Sequence, residues 1–288
     1  MPKITLIPAG GGEIIGDAAD RRVEILCDHD SLHATWSRFA PGREGADLHV
    51  HREHTDLFYV LEGEFTLRLG PEGEEVRMPA GTVARMPPMV VHGFRNGSDA
   101  ELRFLNFHAP GVGFAEYLFG QAPPEEADNF FEPDEDGRPA GDATVVRLDE
   151  GETITDTVTR NVRILVDLPE IVVTWTRYSD GEAGPDPHIH REHVDAFFML
   201  DGELLFRVGP ALEPVTATPG TFVLAPPEVV HTFRNESGAD ARWLNFHAPS
   251  AGFAQFLRNT DLPWDSFDAP ADGGRPATEA IVQHIQPA

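Results

Sequence analysis

Apolar and polar residues alternate along most of this chain, a pattern that puts one face of a β-strand in a core and the other in solvent. Alternating runs rich in aromatic and β-branched residues include HATWSRF (33–39), DLFYVLEGEFTLRLG (56–70) and AELRFLNFH (100–108). Glycine and proline separate these runs, at GPEGEE, PAG and PP, with a spacing typical of antiparallel sandwiches and barrels. Helices are predicted only for two short segments, 113–118 and 252–257. The sequence therefore predicts an all-β protein.

The chain repeats itself at a spacing of 139 residues. HVHREHTDLFYVLEGE (49–64) matches HIHREHVDAFFMLDGE (188–203), and the match continues without a gap from about Arg22 to Leu118. Two homologous domains therefore follow one another. The acidic, proline-rich stretch QAPPEEADNFFEPDEDGRPAGD forms the boundary, because it has too little apolar surface to fold alone. We predict an N-terminal barrel over 1–120, a linker over 121–142 and a C-terminal barrel over 143–288.

Three short apolar segments resemble one another and have strand character: ITLIPA (4–9), TVVRLDE (144–150) and AIVQHIQPA (280–288). Three such strands serve two domains, so one of them is left over. Our hypothesis is that Ile281–Ile285 pairs with a sheet edge of the first domain or of a second subunit. The predicted state is a monomer or a homodimer joined by edge-strand pairing.

Histidines are the most informative residues of the repeat. Of the 13 in the chain, ten form pairs separated by the same 139 residues: His49/His188, His51/His190, His54/His193, His92/His231 and His108/His247. Residues two apart on a strand point to the same face, about 6.6 Å apart, so both histidines of an HxH motif can reach one metal ion. A lone buried histidine is more often a hydrogen-bonded core residue, but two copies of HxH favour metal binding.

These motifs resemble those of the cupin superfamily, and the duplication resembles a bicupin. The first cupin motif is matched by His49, His51, Asp56 and Gly63, and again by His188, His190, Asp195 and Gly202. The second is matched by Gly81, Pro87, His92 and Asn96, and again by Gly220, Pro226, His231 and Asn235. The resemblance implies two tandem double-stranded β-helix (jelly-roll) barrels with short C-terminal helices.

The resemblance also implies one divalent transition metal in each domain. The implied ligands are His49, His51, Asp56 and His92 in the first domain, and His188, His190, Asp195 and His231 in the second. Three imidazoles and a carboxylate suit Fe, Mn, Ni, Co, Cu or Zn, and leave coordination positions open for substrate. The sequence leaves the identity of the metal open.

One departure from the cupin pattern concerns the carboxylate. Asp56 and Asp195 stand where the family has glutamate, and the shorter side chain loses an ångström or more of reach. Either the strand shifts or another residue helps. His54 and His193 are the candidates, as direct ligands or as hydrogen-bond partners of the carboxylate, with exposure in the charged turn as the alternative. For His108 and His247 we expect structural hydrogen bonds.

Two further departures concern glycines. The family glycine two residues after the second-motif proline is Met89 or Glu228, and the glycine before HxH, Gly42 or Gly181, stands one residue further away. Glu228 is a candidate general acid or base for the second site, with a solvated turn residue as the alternative.

Aromatic and arginine residues that recur in both halves suit a substrate pocket. The aromatic pairs, which are equally suited to a barrel core, are Phe58/Phe197, Phe94/Phe233, Phe107/Phe246 and Trp36/Trp175. The arginine pairs, which suit a carboxylate or enolate but also surface ion pairs, are Arg95/Arg234, Arg38/Arg177 and Arg52/Arg191.

Composition narrows the function further. With 48 acidic against 22 basic residues, the net charge of −26 opposes binding to nucleic acid or an anionic membrane. One lysine, Lys3, and one cysteine, Cys27, argue against Schiff-base chemistry, a P-loop, an intrachain disulfide or a Cys-rich metal cluster. With no predicted membrane span or export signal, we expect a cytoplasmic protein with a small-molecule substrate.

Among bicupins, the resemblance implies quercetinase-like dioxygenases, oxalate decarboxylases and ring-cleaving aromatic dioxygenases as candidate activities. We favour a metal-dependent dioxygenase of the quercetinase type acting on a small apolar enol or phenol, because a Lewis acid activates such substrates and the aromatic residues suit them. The alternatives are a metal-dependent isomerase, decarboxylase or lyase, and a non-catalytic small-molecule-binding bicupin.

Overall fold

The computed structural model describes residues 4–111, 113–121, 131, 143–260, 262–270 and, for the backbone, 281–282. It divides into two compact units, one of Glu13–Glu150 and one of Met1–Gly12 together with Gly151–Ala288. We call these the N-terminal unit and the C-terminal unit. Most of the predicted linker lies outside the described residues.

Strands make up most of both halves of the chain. The first half forms β1 (Thr5–Ile7), β2 (Glu13–Ala18), β3 (Arg21–His29), β4 (Leu32–Phe39), β5 (Thr55–Glu62), β6 (Glu64–Leu69), β7 (Glu74–Pro79), β8 (Thr82–Met86), β9 (His92–Arg95), β10 (Leu102–Ala109) and α1 (Phe114–Leu118). The second half forms β11 (Thr144–Arg147), a 3-10 turn (Leu148–Glu150), β12 (Glu152–Asp156), β13 (Arg160–Asp167), β14 (Val172–Tyr178), β15 (His188–Ile189), β16 (Val194–Asp201), β17 (Leu204–Val208), β18 (Glu213–Ala217), β19 (Phe222–Ala225), β20 (His231–Arg234), β21 (Ala241–Ala248), α2 (Phe253–Leu257), β22 (Phe267–Asp268) and β23 (Ile281–Val282).

Two sheets enclose the core of the N-terminal unit. One has seven strands in the order β11-β8-β5-β10-β4-β3-β2, and the other has three in the order β7-β6-β9. Phe58, Phe65 and Phe104 are at most 1% exposed. The ring of Phe65 lies 4.8 Å from that of Phe58 and 5.0 Å from that of Phe104, so aromatic packing joins the two sheets.

The C-terminal unit repeats this arrangement. Its sheets run β12-β13-β14-β21-β16-β19-β1-β23 and β18-β17-β20-β15-β22. A ring contact of 5.0 Å between Phe197 on β16 and Phe206 on β17 joins its two sheets, although Phe206 is equivalent to Leu67 and not to Phe65. The predicted fold class, all-β with two double-stranded β-helix barrels and short helices, is confirmed.

Two edge strands depart from the predicted domain boundaries. β1 pairs with β19 and belongs to the C-terminal unit, although residues 1–120 are predicted to form the N-terminal barrel. β11 pairs with β8 and belongs to the N-terminal unit, although residues 143–288 are predicted to form the C-terminal barrel. Each barrel therefore takes the strand that precedes the other barrel in sequence. The two strands are similar enough to fill equivalent edges, so their order along the chain does not show which barrel each one joins.

The end of the chain also pairs differently from our hypothesis. Ile281 and Val282 run parallel to Thr5 and Leu6 of β1, at the edge of the C-terminal unit's sheet. The free edge of β1 is therefore paired with β23, a strand of the same unit. Residues 283–285 of the hypothesis lie outside the described residues.

Candidate metal centres

Strand pairing brings the four predicted ligands of the N-terminal unit together. His49 and His92 face each other across an isolated bridge, with N–H to O=C hydrogen bonds of 2.9 and 3.0 Å. His51 follows on the same face, and Asp56 enters from the start of β5. Their ligand atoms all lie within 4.8 Å of one another, and all four residues are buried.

The C-terminal unit holds the corresponding cluster. His188 on β15 pairs with His231 on β20, and Asp195 lies near the start of β16. With His190, these residues again offer ligand atoms within 4.8 Å of one another. Each unit therefore contains one buried cluster of three histidines and an aspartate, at the residues that the cupin resemblance implies.

Hydrogen bonds to the backbone fix how the imidazoles point. In the C-terminal cluster the Nδ1 atoms of His188, His190 and His231 contact the carbonyl oxygens of Asp186, Asp265 and Val229, at 2.9, 2.6 and 2.9 Å. An Nδ1–H that donates to a carbonyl leaves Nε2 with a free lone pair.

The Nε2 atoms then face one another in a way that suits a cation. His190 Nε2 is buried without a hydrogen-bond partner. In the N-terminal cluster the Nε2 atoms of His49 and His51 lie 3.2 Å apart, and His49 donates its Nδ1 proton to the carbonyl oxygen of Asp47. Converging lone pairs beside a carboxylate form the donor set of a divalent transition metal, so these residues fit the predicted cofactor.

The protonation state fits a metal as well. Burial, with a smaller effect from neighbouring imidazoles, lowers the pKa of His51 to about 4 and that of His188 to about 3. Burial acts to raise the pKa of Asp56 and Asp195, but interactions with the surrounding histidines, above all His108 and His247, hold it well below its usual value. At neutral pH the imidazoles of His51 and His188 are therefore neutral and the two carboxylates are ionised, which are the forms that bind metals.

Two asparagines that the sequence analysis missed hold the short carboxylates. The side-chain amide of Asn106 donates to Asp56 Oδ1, and that of Asn245 donates to Asp195 Oδ1 at 2.5 Å. The other carboxylate oxygens face His92 Nε2 at 3.2 Å and His231 Nε2 at 3.3 Å. The available signal was the asparagine that the LNFH segment of both halves shares.

His54 and His193 lie beside the clusters and are fully buried, so the alternative of an exposed turn is wrong. Each belongs to a second group of three histidines, His51/His54/His108 and His190/His193/His247. His193 contacts Asp265 Oδ2 and His247 Nδ1, both at 2.8 Å. Their role as alternate ligands stays a prediction.

His108 and His247 lie close to the carboxylates of Asp56 and Asp195. The Nε2 atom of His108 lies 3.4 Å from Asp56 Oδ1, and that of His247 lies 3.5 Å from Asp195 Oδ1. His247 Nε2 also contacts Asn245 Oδ1 at 3.1 Å. The structural role that we expect for this pair stays a prediction, because both histidines also belong to groups that could hold a metal.

The residues that replace the second-motif glycine act through the backbone. Met89 and Glu228 adopt positive φ angles of 68° and 66°, which explains why glycine suits this turn. Their N–H groups donate to the carbonyl oxygens of His51 and His190, at 2.7 and 2.6 Å. Glu228 is half-buried and belongs to none of the metal groups found among the described residues. Its role as an acid or base stays a prediction.

The recurring arginines mostly have other partners. Arg38, Arg95, Arg177 and Arg234 form ion pairs with Glu101, Glu75, Asp240 and Glu236. Arg52 lies 3.6 Å above the ring of Phe131, and Arg191 lies 3.7 Å above that of Phe267. These contacts satisfy the guanidinium groups structurally.

A cavity of about 330 Å³ opens onto the N-terminal cluster. Three cluster residues, His49, His51 and Asp56, form part of its wall. Aromatic rings form much of the rest: Phe39, Phe58, Phe94, Phe104, Phe114 and Tyr117. Of the aromatic residues suggested by the repeat, Phe58 and Phe94 line this cavity, whereas Phe107 and Trp36 are not among its lining residues.

The two clusters agree with the similarity of this chain to known protein families. A family model described as a cupin domain matches residues 35–108 and again residues 174–247. Quercetin 2,3-dioxygenase of Bacillus subtilis (strain 168) is 23% identical over 279 residues, covering 83% of this chain and 80% of that protein. 

Solved structures of similar fold include two oxalate decarboxylases. A tryptophan-to-tyrosine variant of the Bacillus subtilis enzyme has a TM-score of 0.59 at 14% identity, covering 84% of this chain and 76% of that chain. The formate complex of the Lactobacillus farciminis enzyme has a TM-score of 0.61 at 12% identity, covering 91% and 88%. At these identities the likeness shows a shared fold. The described ranges contain no helix with the length and hydropathy of a membrane-spanning segment.

Proposed function

Because this chain belongs to the cupin family and carries two cupin domains, we propose that it is a metal-dependent dioxygenase acting on a small apolar enol or phenol. It is a bicupin with one buried divalent-metal site in each domain. The proposal further assigns the metal ligands to His49, His51, Asp56 and His92 in the N-terminal unit, and to His188, His190, Asp195 and His231 in the C-terminal unit.

The observation that carries the proposal is the aromatic cavity on the N-terminal cluster. Its volume of about 330 Å³ lies at the small end of the range for ligand pockets, which suits a compound of one or two rings. Apolar walls of this kind exclude water and orient a planar ring by stacking and edge contacts. A substrate oxygen directed at His49, His51 and Asp56 would then lie at the metal site.

A bound divalent metal supplies Lewis acidity, which favours the ionised form of an enol or phenol. The protein contributes the geometry. Asn106 and the backbone carbonyl of Asp47 orient Asp56 and His49, so the cluster is ordered before substrate arrives. Thr35 and Ser37 add hydroxyl groups to the cavity wall, which can bind a second polar substituent.

The relative supports an oxygenase over the alternatives. Quercetin 2,3-dioxygenase resembles this chain across both halves, since the match covers 83% of the chain. The oxalate decarboxylases resemble it in fold, at 12–14% identity. The aromatic wall also suits a ring-containing substrate better than a small dicarboxylate.

Oxygen consumption by the metal-loaded protein tests this function. We expect O₂ uptake that matches substrate loss when enols and phenols of one or two rings are screened, with both atoms of ¹⁸O₂ found in the products. His51→Ala should abolish uptake. His190→Ala, its counterpart in the other unit, should retain it.

Two outcomes would contradict the proposal. Release of CO₂ without O₂ uptake would indicate a decarboxylase. Binding of the same compounds without conversion by protein that carries its metals would indicate a binding module.

A further inference from the structure

The two units differ in the partners of one arginine. Arg21 and Arg160 occupy equivalent positions, since Arg21 pairs with Phe39 across β3 and β4, and Arg160 pairs with Tyr178 across β13 and β14. Arg160 has its partners within the protein. It forms an ion pair of 2.6 Å with Glu182 and donates to the carbonyl oxygen of Ala183 at 2.7 Å.

Arg21 has no such carboxylate. The residue equivalent to Glu182 is Arg43, so the partner's charge is reversed in the N-terminal unit. Arg43 pairs with Asp20 at 3.2 Å. Within the described parts of the chain, no carboxylate lies within ion-pair distance of Arg21, and its Nε atom is buried without a hydrogen-bond partner.

This unpaired cation faces the cavity. Arg21 lines the same 330 Å³ space as His49, His51 and Asp56, and its guanidinium lies 5.9 Å from the ring centre of Phe39. Burial, together with the neighbouring Arg43, lowers the pKa of Arg21 more than Tyr117 and Asp20 raise it, so its charge is incompletely compensated by the protein. In a chain with 48 acidic and 22 basic residues, acidic partners are plentiful elsewhere. A partly buried cation without one is a site that an anion would stabilise.

The C-terminal unit also carries larger side chains at equivalent positions. Ser37, Phe39 and Phe104 of the cavity wall correspond to Thr176, Tyr178 and Trp243. The rings of Tyr178 and Trp243 meet edge to face at 4.9 Å, and Trp243 is 1% exposed. The side chains at these three positions are therefore larger in the C-terminal unit than in the N-terminal cavity wall.

We propose that the N-terminal cavity binds an aromatic carboxylate, with its carboxylate on the Arg21 guanidinium and its ring among the cavity phenylalanines, and that the C-terminal unit does not bind it. The inference rests on the proposed function for what happens to that substrate, and it narrows the substrate class to phenols or enols that carry an acid group. Guanidinium is suited to this role because it presents paired donors to a carboxylate.

Calorimetric titration of the metal-loaded protein under anaerobic conditions tests the inference without turnover. The probe is 2-hydroxybenzoate, and its neutral analogue is 2-hydroxybenzamide. A charge-assisted contact contributes about 1.5–3 kcal/mol, so Arg21→Gln should weaken binding of the benzoate about ten- to one-hundredfold. Binding of the benzamide should be unchanged. Arg160→Gln is the matched control and should bind both probes as the wild type does.

A second variant leaves Arg21 in place. Arg43→Glu recreates the arrangement of Arg160 and Glu182, and it should weaken benzoate binding by giving Arg21 a carboxylate partner. Metal content and circular dichroism establish that each variant is folded and loaded.

The inference is overturned if the wild type binds both probes equally, if Arg21→Gln and Arg160→Gln behave alike, or if Arg43→Glu binds benzoate normally. These outcomes are separable from failure of the proposed function. Arg21-dependent binding without O₂ uptake would leave this inference standing and remove the dioxygenase, whereas O₂ uptake with Arg21-independent binding would do the reverse.

Discussion

Asn106 and Asn245 each hold the aspartate of a metal cluster through a side-chain amide. Aspartate has few ways to reach a metal when it replaces the longer glutamate, so its orientation matters more. The amide also fixes which oxygen faces the histidines, because Oδ1 is engaged by asparagine and Oδ2 faces His92 or His231. Positioning partners of this kind tune metal affinity.

We therefore expect Asn106→Ala to weaken metal binding at the N-terminal cluster about ten- to one-hundredfold. The carboxylate of Asp56 loses its orienting donor, while the four cluster residues stay in place. Competition with a chelator measures the affinity of each site. Asn245→Ala should shift the affinity of the other site alone, and unchanged affinities in both variants would rule out this role.

Substitutions of Glu228 test both the backbone strain at this turn and a catalytic role for its side chain. Its φ of 66° lies in the left-handed region, which costs a residue with a side chain about 1–2 kcal/mol. Glu228→Gly should relieve this strain and raise the free energy of unfolding by up to about 1 kcal/mol, because the extra entropy of glycine offsets part of the gain. Urea unfolding measures the change.

Glu228→Ala is the control, since alanine keeps the strain. Equal stabilities of the two variants would count against a strained turn. Loss of activity in both, with metal content intact, would support the role of Glu228 as acid or base.

The sequence predicts the histidines of the clusters but not the tertiary contacts around them. His49 and His51 stand two apart in a duplicated motif, so pattern alone brings them together. Asp265 lies 75 residues beyond His190 and meets it through a carbonyl oxygen. Arg21 is unusual only because its counterpart has a carboxylate partner. Neither fact can be read from spacing, because both depend on tertiary contacts.

Strands β1 and β11 show where element-level prediction ends. Both were identified as strands from alternating apolar residues, and both are strands. Proximity along the chain predicts a barrel for each strand, whereas β1 pairs with β19 and β11 pairs with β8. Edge strands of three or four residues carry little pairing information, since few side chains define the register.

Removing residues 1–8 should therefore destabilise the C-terminal unit. Without β1, β19 becomes an edge and the buried side chains of Ile4 and Ile7 leave the core. Hydrogen exchange should show faster exchange in Phe222–Ala225, while the equivalent Thr82–Met86 keeps its protection from β11. Faster hydrogen exchange confined to the N-terminal unit would contradict the pairing of β1 with the C-terminal unit.

The free energy of unfolding of the molecule depends on pH through its buried histidines. His51, His108 and His193 have pKa values of about 4, because burial disfavours their charged forms. Unfolded histidines titrate near 6.5, so the unfolded chain binds more protons between about pH 4 and 6.5. The free energy of unfolding should therefore fall as pH falls through this window.

Urea unfolding of the metal-free protein at pH 7.5 and pH 5 measures this effect. Asp56 and Asp195, whose pKa values are lowered, contribute a loss only below their usual range near 3.8. A fall between pH 7.5 and 5 thus reports the histidines. Equal stability at the two values would mean that the histidines are charged or solvated in the folded state.

The overall architecture of the molecule can largely be predicted from the sequence. The duplication and the all-β class follow from repeats and strand periodicity, and the residues of the two clusters follow from the resemblance to cupins. The difference between the units did not follow, because it lies in substitutions such as Phe104 to Trp243, whose effect depends on the space around them. A pair of aromatic residues looks the same in sequence whether it fills a barrel or lines a cavity.

Metal analysis of the purified protein tests the central claim most directly. Wild-type protein should contain close to two transition-metal ions per chain, one for each cluster. His51→Ala and His190→Ala should each remove one ion and leave the other, because each variant breaks one cluster. Metal-free wild-type protein after loading, or loss of both ions in a single variant, would contradict two independent metal centres.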